Sequence, residues 1–271
     1  MKQPIKIETF EQYSQLVERY SRKGRITNDY LQNEAADLII HDRLYEYCGE
    51  QNAFLFVEKD ECHRVYYYLN NLTEPHPFDI DENLVIEIIF RGNLGVPQQE
   101  LEYFTRCGFR FHLRRDQYCG VYKDLEVPRL IVGVTVSKAS SLQEVATACE
   151  LFNRSFDHYS GDYVAKEVYQ SLFTGGSILV AKDLNGNFAG ALHQTVERNV
   201  AWISHVAVVE TYRGQGVGQA LMDTYIEQNR VDEKSRYMLW VQAQNEAAVS
   251  MYQKKGFKYM NKSTISMLKL K

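Results

Sequence analysis

A short β-branched run enters three alternating glycines and leaves them as a helix. The stretch is Val206-Ala207-Val208-Val209-Glu210-Thr211-Tyr212-Arg213-Gly214-Gln215-Gly216-Val217-Gly218-Gln219-Ala220-Leu221. Val206 to Val209 has strand character. From Val217 the apolar spacing turns helical, through Leu221 and Tyr225. Gly214, Gly216 and Gly218 sit between. Glycine admits positive φ and lets a backbone come close to a ligand. The first N–H groups of a helix have no internal partners, and the helix dipole favours an anion there. Such a turn suits a phosphate or pyrophosphate.

The spacing separates the kinds of phosphate binder. No Lys-Ser/Thr follows the glycines, so this is not a P-loop, and Gly-x-Gly-x-Gly is not the dinucleotide fingerprint Gly-x-Gly-x-x-Gly. Arg213-x-x-Gly216-x-Gly218 resembles the acetyl-CoA motif Gln/Arg-x-x-Gly-x-Gly/Ala of the GNAT superfamily of N-acetyltransferases. A plain glycine-rich connection with no ligand is the alternative. A second signature of that family is an Asn opening the helix after the fifth strand, with a Tyr seven residues on. Asn245 and Tyr252 stand so in Asn245-Glu246-Ala247-Ala248-Val249-Ser250-Met251-Tyr252. Asn245 is also a plausible N-cap. The resemblance covers about Arg129 to Leu270, where the expected element order is βααβββαβαββ.

The resemblance implies acetyl-CoA as cosubstrate, no metal, and direct attack of an amine on the thioester. It places acetyl-CoA on Val206, Ala207, Val208, Arg213, Gly214, Gln215, Gly216, Val217, Gly218, Gln219 and Asn245. The main chain of Val206–Val208 would pair with the pantetheine in a gap between the fourth and fifth strands. An N–H there, that of Val208, would polarise the thioester oxygen. Tyr252 would protonate the departing thiolate. Strand alternation puts Val200, Trp202 and Ser204 on the face where the family carries its base, and none is a strong base. His205 falls one step off, on the opposite face, as a core or helix-facing histidine, unless a bulge intervenes. Deprotonation through waters to Glu197 or Asp157 is the other route, and the base stays unassigned. The loop Phe156-Asp157-His158-Tyr159-Ser160-Gly161-Asp162 would line the acceptor site, for a small-molecule or peptide amine. Cys149, on an apolar helix face, reads as packing, and Arg114-Arg115 as a solvated turn.

The 271 residues suffice for two domains. A net charge of −4 gives no global attraction for nucleic acid or an anionic membrane. No apolar run has transmembrane length, and Met1-Lys2-Gln3-Pro4 does not open a signal peptide. Five cysteines without a Cys-x-x-Cys pair fit reduced thiols in a cytoplasm. The halves resemble each other: Phe56-Val57-Glu58-Lys59-Asp60 parallels Leu179-Val180-Ala181-Lys182-Asp183, and Cys107-Gly108-Phe109-Arg110-Phe111 parallels Lys255-Gly256-Phe257-Lys258-Tyr259. The first half lacks the stretch that would carry the glycine turn.

The expectation is therefore an α/β (α+β) protein of two GNAT-like domains, each with a mixed, mostly antiparallel central sheet flanked by helices. Residues 1–126 form a degenerate domain without a cofactor loop, and 127–271 a catalytic one. The expected function is acetyl-CoA-dependent N-acyl transfer. A non-catalytic acyl-CoA-binding or regulatory protein is the alternative.

Overall fold

The computed structural model describes residues 4–59, 62–126, 133–159, 163–197 and 200–271. In chain order the elements are β1 (Ile5–Lys6), α1 (Phe10–Tyr20), β2 (Ile26–Thr27), α2 (Ala35–Ile40), β3 (Leu44–Cys48), β4 (Ala53–Glu58), β5 (His63–Leu69), β6 (Leu84–Phe90), α3 (Gln98–Arg106), β7 (Arg110–Val121), β8 (Val134–Lys138), α4 (Leu142–Ser155), α5 (Tyr169–Thr174), β9 (Ile178–Asp183), β10 (Phe188–Glu197), β11 (Val200–Val208), α6 (Val217–Gln228), β12 (Arg236–Gln242), α7 (Glu246–Lys255) and β13 (Lys258–Lys269). Local chemistry sets several ends. Thr9 and Gln12 close a capping box on α1, and the Ser141 hydroxyl accepts from Glu144 N at the start of α4. The expected turn at Asp60-Glu61 lies outside the described residues, as do the start of the strand expected from Leu130 and Ser160–Asp162 of the expected acceptor loop.

The chain divides into two compact units, Met1–Arg114 with Lys262–Lys271, and Arg115–Asn261. In the first, the sheet order is β1-β3-β4-β5-β6 followed by β13 from Ser263 onward, which pairs antiparallel with β6. In the second, the order is β7 from Arg115 onward, then β12-β11-β10-β9-β8. Each unit thus takes one outer strand from beyond a simple halving of the sequence. The boundary expected at 126/127 falls inside the second unit, because Arg115–Val121 pairs residue by residue with Gln242–Arg236. Pairing with distant strands also decides the length of two elements. Phe109–Leu113 and Tyr118–Tyr122 read as two separate strands, but Arg114-Arg115-Asp116-Gln117 continues β7, because Arg115–Gln117 pairs with Gln242–Trp240 of β12. Lys258–Lys269 is likewise one strand, β13.

The units repeat one topology. β1, α1, α2, β3, β4, β5, β6 and α3 match β8, α4, α5, β9, β10, β11, β12 and α7 in order and pairing sense. The pairs β5–β6 and β11–β12 are the parallel ones. The sequence parallel between Phe56–Asp60 and Leu179–Asp183 is thus displaced by one strand, since β3 is the counterpart of β9. The Cys107 and Lys255 landmarks do correspond, each at the end of its helix. Where α6 joins β11 to β12, residues 70–83 join β5 to β6 without a helix.

Both parallel pairs are short. β5 and β6 stay in register only over His63–Val65 and Leu84–Ile86, and β11 and β12 only over Val200–Ile203 and Arg236–Leu239. Beyond that the strands part. In the first unit, chain from the same unit bridges the opening. β2 pairs with the end of β5, Ile26 opposite Leu69 and Thr27 opposite Tyr68. Asn28, 4% exposed, donates from Nδ2 to Val65 O (3.2 Å) and Glu87 O (2.9 Å), and its Oδ1 accepts from Tyr67 N (2.8 Å). Asn28, which by residue type could equally cap a helix, is followed by a 3-10 turn at Leu31–Asn33, the short α2, and β3.

Each unit buries its own core. Val217, Leu221, Tyr225, Tyr237 and Leu239 pack between α6 and the second sheet, while Val145, Cys149, Phe152, Val180 and Ala207 pack under α4 on the opposite face. At about 25 cal/mol per Å² of apolar area, burial of such side chains dominates the stability of each unit.

Candidate acyl-transfer site

Ser204 decides the shape of the second unit. The β10–β11 register runs His193 opposite His205 and then Gln194 opposite Ile203, leaving Ser204 as an extra residue. The bulge reverses the alternation. Ala201 and Ile203 belong to the core on the α6 side, whereas Ala207 packs on the α4 side with Ala148 and Phe152. It coincides with the point where β11 leaves β12, after Ile203 opposite Leu239. Bulges bend a strand and increase its twist. The opening beyond is a cavity of about 620 Å³, lined among others by Trp202, Ser204, Val206, Trp240, Asn245 and Tyr252.

The glycine turn follows directly. A 3-10 turn, Glu210–Tyr212, leads into it, and the Tyr212 hydroxyl donates to Asp183 Oδ2 (2.9 Å). Gly214 and Gly216 take φ of +76° and +82°, which side chains with a Cβ adopt only under strain. Gly216 is the left-handed N-cap of α6, and no side chain caps that end. The leading N–H groups of α6 therefore keep the anion-binding character expected of them. A Cβ at Gly218 would meet Met251 Sδ (3.5 Å) and Val208 Cγ2 (3.7 Å) in ordinary contact, so packing does not require a glycine there. Exposed Arg213 donates from Nε to Val208 O (3.4 Å), and Gln215 from Nε2 to Thr211 O (2.8 Å). The side chain of Val217 is buried in the core.

The α7 residues also find clear places. Asn245 is the N-cap, its Oδ1 accepting from Ala248 N (3.1 Å), and it lines the cavity as well. Tyr252 is 7% exposed and packs on Phe257, and burial raises its hydroxyl pKa well above 10. It faces the cavity and also a groove of about 300 Å³ between α6 and α7, where Gln219, Met222 and Met251 line the wall. The buried ion pair of Lys255 with Asp223 joins these two helices. Of the expected cosubstrate residues, the large cavity gathers Val206 and Asn245, and Gln219 lies on the groove. Ala207, Val208 and Arg213–Gly218 line neither.

The structure brings further residues to the cavity. His205 lies on the α4 side, 7% exposed, its ring stacked on Phe152 at 5.1 Å and 22°. Its Nδ1 is 3.2 Å from Nδ1 of His193, and both residues line the cavity. Burial lowers the pKa of His193 to about 4. Trp202 and Trp240, the two tryptophans of the chain, both line the cavity, a clustering no local pattern announces. Arg115 lines it too, from a strand and not from a solvated turn. Glu197 stands at the exposed end of β10 on the same cavity. Cys149 is buried under α4, where burial pushes its thiol up to about 11, so it stays a neutral packing group. Among the described residues there is no cluster of metal-ligating side chains, and no helix long and apolar enough to cross a membrane.

Residues 145–257 match the family model described as the acetyltransferase (GNAT) family. These residues form a GNAT domain. Solved structures give the same fold at low sequence identity. A GCN5-related N-acetyltransferase from Sphaerobacter thermophilus aligns with a TM-score of 0.59 and 15% identity, over 80% of this chain and 76% of its own. A tandem GNAT protein from the clavulanic acid biosynthesis pathway aligns with a TM-score of 0.54 and 14% identity, over 83% and 82%. A GNAT-family acetyltransferase from Colwellia psychrerythraea aligns over the whole of both chains, with a TM-score of 0.52 and 13% identity. No curated protein sequence matches. The GNAT fold supports acetyl transfer from acetyl-CoA to amine acceptors in general.

Proposed function

We propose that the second unit is an acetyl-CoA-dependent N-acetyltransferase acting on a small-molecule or peptide amine by direct attack, and that the first unit holds no acetyl-CoA. The observation that carries the reading is an opening where strands part after Ile203 and Leu239, lined by Asn245 and Tyr252, with an uncapped glycine-led helix following at the end of β11. In this reading the N–H groups from Gly216 to Gln219 take the pyrophosphate, with Arg213, Gly214 and Gln215 shaping the turn. The main chain of Val206–Val208 pairs with the pantetheine arm. Amine and thioester held side by side supply much of the rate. The amine nitrogen forms a bond to the thioester carbon, the carbon–sulfur bond breaks, and Tyr252 protonates the departing sulfur.

Two features support an acetyl-CoA-free first unit. Residues 70–83 contain no helix to present N–H groups, and Asn28 already bonds the main-chain groups at the mouth of the β5–β6 opening. Calorimetric titration of the intact protein should give one acetyl-CoA site per chain, and Gly216→Val should lose it while the far-ultraviolet spectrum is kept. Two equivalent sites would refute the assignment of the first unit. Unchanged affinity in a folded Gly216→Val protein would remove the cosubstrate site from α6. Binding without thiol release across a broad amine panel would favour a non-catalytic acyl-CoA-binding protein.

A further inference from the structure

The bulge at Ser204 needs a cause. An extra residue in a strand loses ladder pairing, and something must repay that loss. Nothing in the local sequence demands it, since Ser204 is not a glycine and has no positive φ. What the bulge achieves is to bring His205 to the α4 side. On an unbulged strand it would follow Ala201 and Ile203 into the apolar core under α6.

We propose that His193 and His205 are positioning residues for acyl transfer: their side-chain hydrogen bond latches the β10–β11 bulge and so holds the acetyl-CoA opening in shape. The inference rests on the cosubstrate reading above. The two residues are register partners immediately beyond the bulge, so the bond closes the first rung past it. Their Nδ1 atoms are 3.2 Å apart and their rings 10° from parallel, 5.4 Å between centroids. The outer side of His205 is covered by Phe152 and Phe156, each 5.1 Å away, and Ile178 of β9 stands opposite His193. Two imidazole nitrogens bond only if one carries the proton and the other a lone pair, so the latch requires complementary tautomers. The low pKa of His193 agrees with a ring that stays neutral there. Among the described residues, the other ionisable side chains on the cavity are Arg115, Glu197, Tyr163 and Tyr252.

The test uses the full-length protein and acetyl-CoA as probe. His193→Phe keeps a stacked ring and removes Nδ1. It should weaken acetyl-CoA binding about ten-fold, the scale of one buried hydrogen bond. His193→Asn, whose amide reaches the same place, should recover much of the affinity. His76→Phe, in the first unit, should bind normally. Nitrogen-15 spectra of the unsubstituted protein at pH 7 should show one of His193 and His205 protonated at Nδ1 and the other at Nε2. Equal affinity in folded His193→Phe would overturn the latch, and so would identical tautomers at the two rings. The spectra decide the matter alone if His193→Phe fails to fold. An unsubstituted protein that binds no acetyl-CoA sinks the cosubstrate reading, and the spectra still judge the hydrogen bond.

Discussion

Tyr252 faces both the large cavity and the helix groove, and its burial keeps the phenol protonated across the neutral range. A group that stays protonated can give its proton only as the sulfur departs. Tyr252→Phe should therefore lower kcat by about 10²–10⁴-fold, the usual reach of general acid catalysis, with acetyl-CoA affinity little changed. Thiol release at saturating substrates is the measurement, and wild-type turnover would reduce Tyr252 to packing on Phe257. A second prediction concerns acid. Burial lowers His193 from 6.5 to about 4, and burial followed by the charge of Lys269 lowers His76 to about 4. The unfolded chain takes up these protons near pH 6.5, and the folded chain only near 4. Stability from the neutral rings is thus complete above pH 6.5 and is lost as pH falls toward 4. For His193 the loss is about 3 kcal/mol at 1.36 kcal/mol per pKa unit. Melting curves from pH 7 to 4.5 should fall less for His193→Phe than for the unsubstituted protein, and parallel curves would contradict this. At this scale the sequence located Asn245 at the head of α7 and Tyr252 further along the same helix. It read His205 as a core or helix-facing residue, as its burial against Phe152 has it, but could not bring it to the cavity beside His193, because Ser204 carries no mark of the bulge.

Two parallel strand pairs that part at the same relative place do different things. β11 and β12 leave a cavity, while β5 and β6 are bridged by Asn28. Asn28→Ala would strand the carbonyls of Val65 and Glu87 and the N–H of Tyr67. Each buried unsatisfied group costs about 1–3 kcal/mol, so the melting temperature should drop by several degrees, with the acetyl-CoA stoichiometry unchanged. A variant as stable as the parent would mean that water or a neighbour replaces the amide. Most strands were legible from their β-branched and aromatic runs. The bridge was not, because Asn28 reads equally well as a helix cap. The choice is made by β5 and β6, distant in sequence. The length of β7 was hidden likewise, since Arg114-Arg115-Asp116-Gln117 looks polar enough for a turn, yet strand pairing with β12 claims it.

The two units exchange chain at Arg114/Arg115 and Asn261/Lys262. A cut at 126/127 would deprive the second sheet of Arg115–Val121, the partner of β12. A chain stopped at Asn261 tests the arrangement from the other side. It keeps all of Arg115–Asn261 and removes the partner of β6, with Ile265 and Met267 of the first core. Hydrogen exchange should show β4–β6 losing protection while β9–β12 retain it. Equal protection in both sheets would mean that Ser263–Lys269 is dispensable. The exchange was invisible beforehand because both segments read as ordinary strands, and a strand's sequence does not name its partner.

That arrangement sets an order for synthesis. Nascent chain emerges from the amino end, so residues 1–114 appear first with β6 unpaired on one side. Everything the second unit needs follows, from Arg115 to Asn261. Only then comes Ser263–Lys269, to cover β6. An uncovered apolar strand such as Leu84–Phe90 invites pairing with a wrong chain for as long as it waits. In a growing polypeptide, the half made first is the half finished last, and its exposure lasts as long as the other half takes to be made.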